Sequence, residues 1–326
     1  MGRILKSKWF GLLNSAVVLG ILAWILVRHV DPQSVSEIWR RADPAGFAVA
    51  ALAMCLFIAV SCLRFYEIVR TDQRSELRFL SLYRIHMISM FLSLGFPIAA
   101  LGDLARAAML KMRFNLAVTS SIRLVVYDRI IGMLSITVVG IVTAAMQLGM
   151  AIDRTVVLAQ GAVWAGGVGL VVLLVLGSMS RISVPFPLLQ RVIGAVQGLG
   201  HLLRSPRFLV VQLLLSFLFV GLAGTVLWLI AASMHIAVDP LHIVVFSPII
   251  LFVNSLPIFY LGWGGREAAI IGTLSVVGGL AKPEAVALSI GFGVLAVLCS
   301  LPGGVVWLLR PSLRKAVNAE ALKVAG

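Results

Sequence analysis

Charge is scarce in this chain of 326 residues. Only 12% of them are Asp, Glu, Lys or Arg, and 13 acidic residues face 27 basic ones. Together with 60% hydrophobic residues, this excludes an ordinary soluble globular domain, in which about a quarter of residues are charged. A polytopic membrane protein fits instead, its length used up by spans and short connections. Cysteine is equally sparse. Cys55, Cys62 and Cys299 lie in apolar runs with no metal-ligand spacing and no neighbouring His, so they read as small buried apolar residues and no metal site is expected. The P-loop lysine motif is missing, which excludes an ATP drive within this chain. H-E-x-x-H and G-x-S-x-G are missing too, and with them the common hydrolase sites. The expectation is therefore a non-enzyme with no cofactor and no catalytic residue. The net charge of +14 invites a nucleic-acid reading, but no basic, aromatic-rich soluble segment carries it. Excess Lys and Arg in a membrane protein mark cytoplasmic loops near anionic lipid.

What the chain does have is long apolar runs. Six are long enough to cross a bilayer, given the need for about 20 apolar residues: 10–28, 45–63, 122–148, 156–177, 208–233 and 285–309. The first follows Arg3, Lys6 and Lys8 with no A-x-A site behind it, and reads as an uncleaved transmembrane helix. Two further apolar regions, 79–110 and 242–280, are interrupted by Pro and Gly and read as re-entrant hairpins of two half-helices. Residues 186–204 have apolar positions at helical spacing and suit a helix lying in the interface, or a connecting helix packed on the bundle. The fold expected is all-α: one transmembrane domain over 1–326, with six spans and two re-entrant hairpins.

Orientation follows from charge. With the N-terminus inside, the cytoplasmic segments collect Arg3, Lys6, Lys8, Arg64, Arg70, Arg74, Arg78, Arg84, Arg106, Lys111, Arg113, Arg123, Arg181, Arg191, Arg204, Arg207, Arg310, Arg314, Lys315 and Lys323. The outer side keeps Arg28, Arg40, Arg41, Arg154 and Lys282. That bias places both termini in the cytoplasm of an inner membrane.

The two interruptions share a motif. Pro97 to Arg106 and Pro257 to Arg266 both read P-I-x-x-L-G-x-x-x-R, every matching position 160 residues apart. Three spans between the hairpins make the first enter from the cytoplasm and the second from outside, so the tips are expected to meet near the midplane as an inverted repeat. Paired broken helices of this kind point to a transporter's substrate site. Pro97, Gly102, Pro257 and Gly262 are the expected hinges.

Ionisable residues at membrane depth are costly and default to a functional hypothesis. Asp103, Asp128 and Glu267 each have a basic residue close by in sequence. Arg106 lies one helical turn from Asp103 and faces the same way. Asp128 and Arg129 are adjacent and point in different directions, so at least one pairs elsewhere. Gly264 and Gly265 let the chain break and begin a half-helix at Arg266 and Glu267, whose N-terminus and arginine suit a phosphate. The bland alternative is mutual neutralisation of charges and glycines that only permit close packing.

Three motifs in order, Phe91 to Arg106, Tyr127-Asp128-Arg129-Ile130-Ile131-Gly132, and Leu256 to Glu267, resemble the lysylphosphatidylglycerol synthase/flippase transmembrane domain family. It is also called flippase-like, or uncharacterised protein family 0104. The resemblance spans nearly the whole chain. It implies lipid translocation: in the best-known relatives this domain flips aminoacylated phosphatidylglycerol and is fused to a second membrane region and a cytoplasmic aminoacyl-transferase domain. This chain is expected to be a stand-alone member, and such relatives occur in hopanoid-linked and glycosylation settings. Carried over by position, the substrate residues are Asp103, Arg106, Asp128, Arg129, Arg266 and Glu267. The expected function is a flippase or lipid transporter whose partners are membrane lipids, through their phospholipid headgroups, and lipid-synthesis enzymes. The alternatives are a membrane enzyme modifying a lipid-linked headgroup and a non-transporting subunit of a lipid or hopanoid synthesis assembly.

Overall fold

The computed structural model describes residues 32–73, 77–95, 100–145, 154–179, 199–200, 202–255, 265–276, 278–311, 313–317 and 319. Every main element among them is a helix. In chain order they are α1 (Pro32–Arg41), α2 (Pro44–Gln73), α3 (Phe79–Gly95), α4 (Ala100–Phe114), α5 (Val118–Ala145), α6 (Arg154–Met179), α7 (Pro206–Ser233), α8 (Pro240–Ser255), α9 (Gly265–Ile270, continued by a wider turn over Ile271–Ser275) and α10 (Lys282–Leu309). The expected first span, 10–28, and most of the expected interfacial helix, 186–204, lie outside the described residues.

The helix starts follow from local chemistry. The Asp43 carboxylate accepts from the N–H groups of Ala45 and Gly46, both at 3.0 Å, and Pro44 takes the first helical position, where a missing N–H costs nothing. Asp239 before Pro240 repeats the device, accepting from the Leu241 N–H at 2.8 Å. Ser205 before Pro206 does so more loosely, at 3.4 Å from the Phe208 nitrogen.

Among the described residues four helices, α2, α5, α7 and α10, are long and apolar enough to span a membrane. At 28–30 residues each is about 42–45 Å long. Their outer faces carry bare apolar side chains, Leu52, Val142, Leu214 and Leu309 among them, as lipid-facing surfaces do. α3 and α8, with 17 and 16 residues, reach only about 25 Å. They are too short to cross alone.

Two cores divide the bundle between its ends. One gathers Ala50 to Ile58 of α2, Ile136 and Val139 of α5, Val220 to Ala231 of α7 and Ala285 to Ala296 of α10, with α8 and α9. The other gathers Phe65 to Val69 of α2, Leu124 to Ile131 of α5, Phe208 of α7 and Trp307 of α10, with α4 and most of the buried residues of α3. So α2 and α10 run one way and α5 and α7 the other. The two short-helix pairs pack at opposite ends. At the second end an ion pair of 3.0 Å joins Asp72 of α2 to Arg123 of α5.

Apolar transfer gives lipid-embedded helices little reason to associate, so close packing must hold them. Small residues make it possible. A Cβ at Gly303 of α10 would stand 2.3 Å from the Met87 backbone oxygen of α3, and one at Gly140 of α5 would stand 2.3 Å from the Trp164 ring of α6.

Candidate functional site

The first motif's charges sit on α4 and α5, which pack antiparallel, and they are paired crosswise. Arg106 Nη1 lies 2.6 Å from Asp128 Oδ2, and Arg129 lies 2.9 Å from Asp103 Oδ2. The expected pairing of Asp103 with Arg106 along one helix is not what forms. The two share a face of α4, and that face meets α5, so each finds an opposite charge on the neighbouring helix instead. The expectation that Asp128 or Arg129 pairs away from its neighbour holds for both.

The two crossed pairs differ in surroundings. Arg106 and Asp128 side chains are 8% and 21% exposed, Arg129 and Asp103 48% and 25%. Asp128 lies ten residues into α5 from Val118, about 15 Å. A charged group that deep faces the bundle interior or a water-filled cavity.

Arg106 is held on two more sides. Its Nε donates to Ser89 Oγ of α3 at 3.2 Å, its guanidinium stacks 4.9 Å over the Phe65 ring of α2, and Ser89 Oγ donates to the Gly102 carbonyl at 2.8 Å. Gly102 is the third residue of α4. A Cβ there would stand 2.5 Å from the Ser89 backbone oxygen. Gly102 therefore serves the close approach of α3 to α4, where the sequence suggested a hinge. Pro97, Pro257, Gly262 and Gly264, the other expected hinge and tip residues, lie outside the described residues.

The second motif is built alike. Arg266 Nη2 lies 2.9 Å from Glu267 Oε1, the side chains only 5% and 6% exposed. Arg266 Nε donates to Ser289 Oγ of α10 at 3.1 Å, Ser289 Oγ donates to Glu267 Oε1 at 2.8 Å, and the guanidinium stacks 5.7 Å from the Phe292 ring. Gly265 opens α9, and Glu267 in its first turn supplies the negative charge that a helix start favours. A small cleft beside Arg266, lined by Ser247, Asn254, Leu227 and Phe292, has room for about one water molecule.

In each half, then, the motif arginine gives Nε to a serine on a neighbouring helix and lies against a phenylalanine. Neither serine belongs to the repeated motif, so the likeness extends beyond what the sequence displayed. No local signal marked them, since Ser89 shares α3 with Ser81 and Ser93, and Ser289 shares α10 with Ser300.

The sites do not share one level. The first lies about 15 Å from one bundle end, and the cleft at Arg266, facing Leu227 of α7, lies about 10–15 Å from the other. Their separation along the axis is roughly 15 Å. The tips expected to meet at mid-height, 96–99 and 256–264, lie outside the described residues.

One buried cation was read only as part of the cytoplasmic charge bias. Arg64 of α2 is 5% exposed. Its guanidinium lies 5.0 Å from the Phe219 ring of α7, and its backbone carbonyl accepts from Gln212 Nε2 at 3.0 Å. Among the described residues no carboxylate comes within ion-pair distance of it, and its buried Nε has no acceptor. His86 of α3 and Tyr127 of α5 are also buried, each with one polar atom unpartnered among the described residues. No group of three or more His, Cys, Asp or Glu side chains that suits a metal occurs among the described residues.

Crossed charges buried in an apolar helical bundle identify an integral membrane protein with polar sites at membrane depth. No curated protein sequence matches the chain. The family described as the lysylphosphatidylglycerol synthase TM region matches residues 11–303, and the chain belongs to that family, which ties it to the handling of lipid headgroups.

Proposed function

We propose that the protein moves a phospholipid or modified lipid headgroup across the inner membrane, using the two charged sites as stations. The observation that carries this reading is the placing of two short-helix pairs, each with a buried arginine ion-paired to a carboxylate, at opposite ends of one apolar bundle. An inverted repeat of re-entrant hairpins, with both termini in the cytoplasm, accounts for that arrangement. The headgroup enters at one station while its tails stay in the lipid. Its phosphate takes Arg106 from Asp128, or Arg266 from Glu267, and the freed carboxylate meets a cationic part of the headgroup. Exchange of partners avoids leaving a charge bare at any step, which in this setting costs several kcal/mol.

The test is lipid exchange in sealed vesicles of phosphatidylglycerol and phosphatidylethanolamine carrying a fluorescent phospholipid. Dithionite bleaches the outer leaflet alone in protein-free vesicles, and both leaflets where lipids exchange. Exchange should slow in Arg106→Ala and Arg266→Ala. No exchange with any labelled phospholipid, or full exchange in both variants, would overturn the proposal.

One observation favours a second reading. All six charges of the two sites have partners within the protein, as a non-transporting subunit of a lipid-synthesis assembly would require. Such a subunit exchanges no lipid in pure vesicles, and charge-neutral replacement of each pair leaves its assembly intact.

A further inference from the structure

The two crossed pairs of the first site cancel: Arg106 with Asp128 and Arg129 with Asp103. Arg64 then adds one positive charge that nothing in contact with it balances. An arginine cannot escape by losing its proton, and a buried charge without a partner is strongly destabilising. The one carboxylate whose charge reaches it, Asp128, is already held by Arg106 at 2.6 Å, which leaves Arg64 able to take a further anion.

Its position says which group. A Cβ added at Gly132 would meet only the Arg64 Nη2, at 3.6 Å, so the guanidinium points into space left open by that glycine. Gly132 lies fourteen residues into the 28 of α5, and Phe219, under the same guanidinium, thirteen residues into the 28 of α7. Both are at half height. The guanidinium therefore stands between the two stations, one helical turn inward from Asp128. Gln212 pins the Arg64 backbone there from α7, so the residue is placed rather than free to snorkel out.

We infer that Arg64 is a phosphate-binding residue at the middle of the bundle, an intermediate station for the phosphate of an anionic lipid headgroup. Its planar fork of donors suits two phosphate oxygens. With Arg64 counted, the site carries a net charge of +1, which selects a net-anionic headgroup over a zwitterionic one. The inference rests on the transport reading for the source of the phosphate, and on the unbalanced buried charge for the site itself.

The full chain in dodecyl maltoside micelles tests it without any transport. Thermal unfolding is followed by tryptophan fluorescence while phosphatidylglycerol, phosphatidylcholine or inorganic phosphate is titrated at constant ionic strength. Phosphatidylglycerol should raise the midpoint more than phosphatidylcholine does. Arg64→Gln should weaken its apparent affinity at least about ten-fold, the worth of a charge-assisted hydrogen bond, and Arg64→Lys, which keeps the charge and loses the fork, should fall between the two. Gly132→Asp is the sharper variant, because it sets a carboxylate against the guanidinium. It should raise the lipid-free midpoint and erase the phosphatidylglycerol response, while Gly132→Ala leaves that response in place. An equal response in wild type, Arg64→Gln and Gly132→Asp would overturn the site. A rise with inorganic phosphate and none with lipid would uphold a phosphate site and overturn lipid as its source. Vesicle exchange separates the two proposals. Lipid binding through Arg64 without exchange sinks transport alone, and exchange with an unchanged response in Arg64→Gln sinks the Arg64 station alone.

Discussion

Replacing Asp128 by Asn tests the site's energetics most directly. The change keeps volume and one hydrogen-bond acceptor but removes the negative charge 2.6 Å from Arg106. Arg106 would keep only Ser89 Oγ and the Phe65 ring. Stranding a buried partner costs about 3–5 kcal/mol, and the hydrogen bond kept by the amide returns about 1 kcal/mol. The net loss should be about 2–4 kcal/mol. Asp103→Asn removes the same charge from Arg129, but that guanidinium is half exposed. Its loss should stay at about 1 kcal/mol or less, as for a screened pair. Unfolding of the purified protein in mixed micelles by increasing sodium dodecyl sulfate, read by tryptophan fluorescence, measures both. The double variant Arg106→Met/Asp128→Leu should recover most of the loss, because removing both charges also removes the desolvation cost. Costs for Asp128→Asn and Asp103→Asn that agree within about 0.5 kcal/mol would refute the reasoning, since burial would then not decide the strength of the pairs.

Other expectations follow from single contacts. Ser289→Ala deletes a hydroxyl that both accepts from Arg266 and donates to Glu267, and should cost about 1–3 kcal/mol in the same unfolding titration. Gly102→Ala drives a methyl into the Ser89 backbone and should cost about 1–3 kcal/mol, with lipid exchange lowered in step. Cys55 and Cys299 stand 3.7 Å apart across α2 and α10. Mild oxidation of membranes should join them within one chain and spare the buried Cys62, as peptide mass mapping would show. In a background lacking all three cysteines, Leu104→Cys and Gly265→Cys should react with a membrane-impermeant thiol reagent from opposite faces. Labelling of both from one face would remove the inverted repeat.

Much of the fold was legible because lipid imposes a simple code. Runs of apolar residues announced α2, α5, α7 and α10 to within a turn or so at most ends, and Pro and Gly announced where α3 gave way to α4. The pairing of charges was less legible. Periodicity shows that Asp103 and Arg106 share a face of α4, but not that this face meets Asp128 and Arg129 on α5. A tertiary contact between helices outcompetes a local one of similar chemistry, and only packing says which forms. Arg64 was hidden for a related reason. A basic residue directly after the apolar run 45–63 looks like part of the cytoplasmic charge bias. Its burial depends on Gln212 and Phe219, almost 150 residues away in sequence. The serines that hold the motif arginines were silent too, since nothing local separates Ser89 and Ser289 from the other hydroxyls of a membrane helix.

The crossed pairs between α4 and α5 have a mechanical consequence. Because the charge order reverses from one helix to the other, sliding α4 along α5 breaks both bonds together and brings Arg106 toward Arg129. Only one register satisfies both. The two helices therefore travel as a single lever, and relative motion is directed to seams that carry no charge. The seam between α3 and α10, where Gly303 packs against the Met87 backbone, has no such charge lock among the described residues.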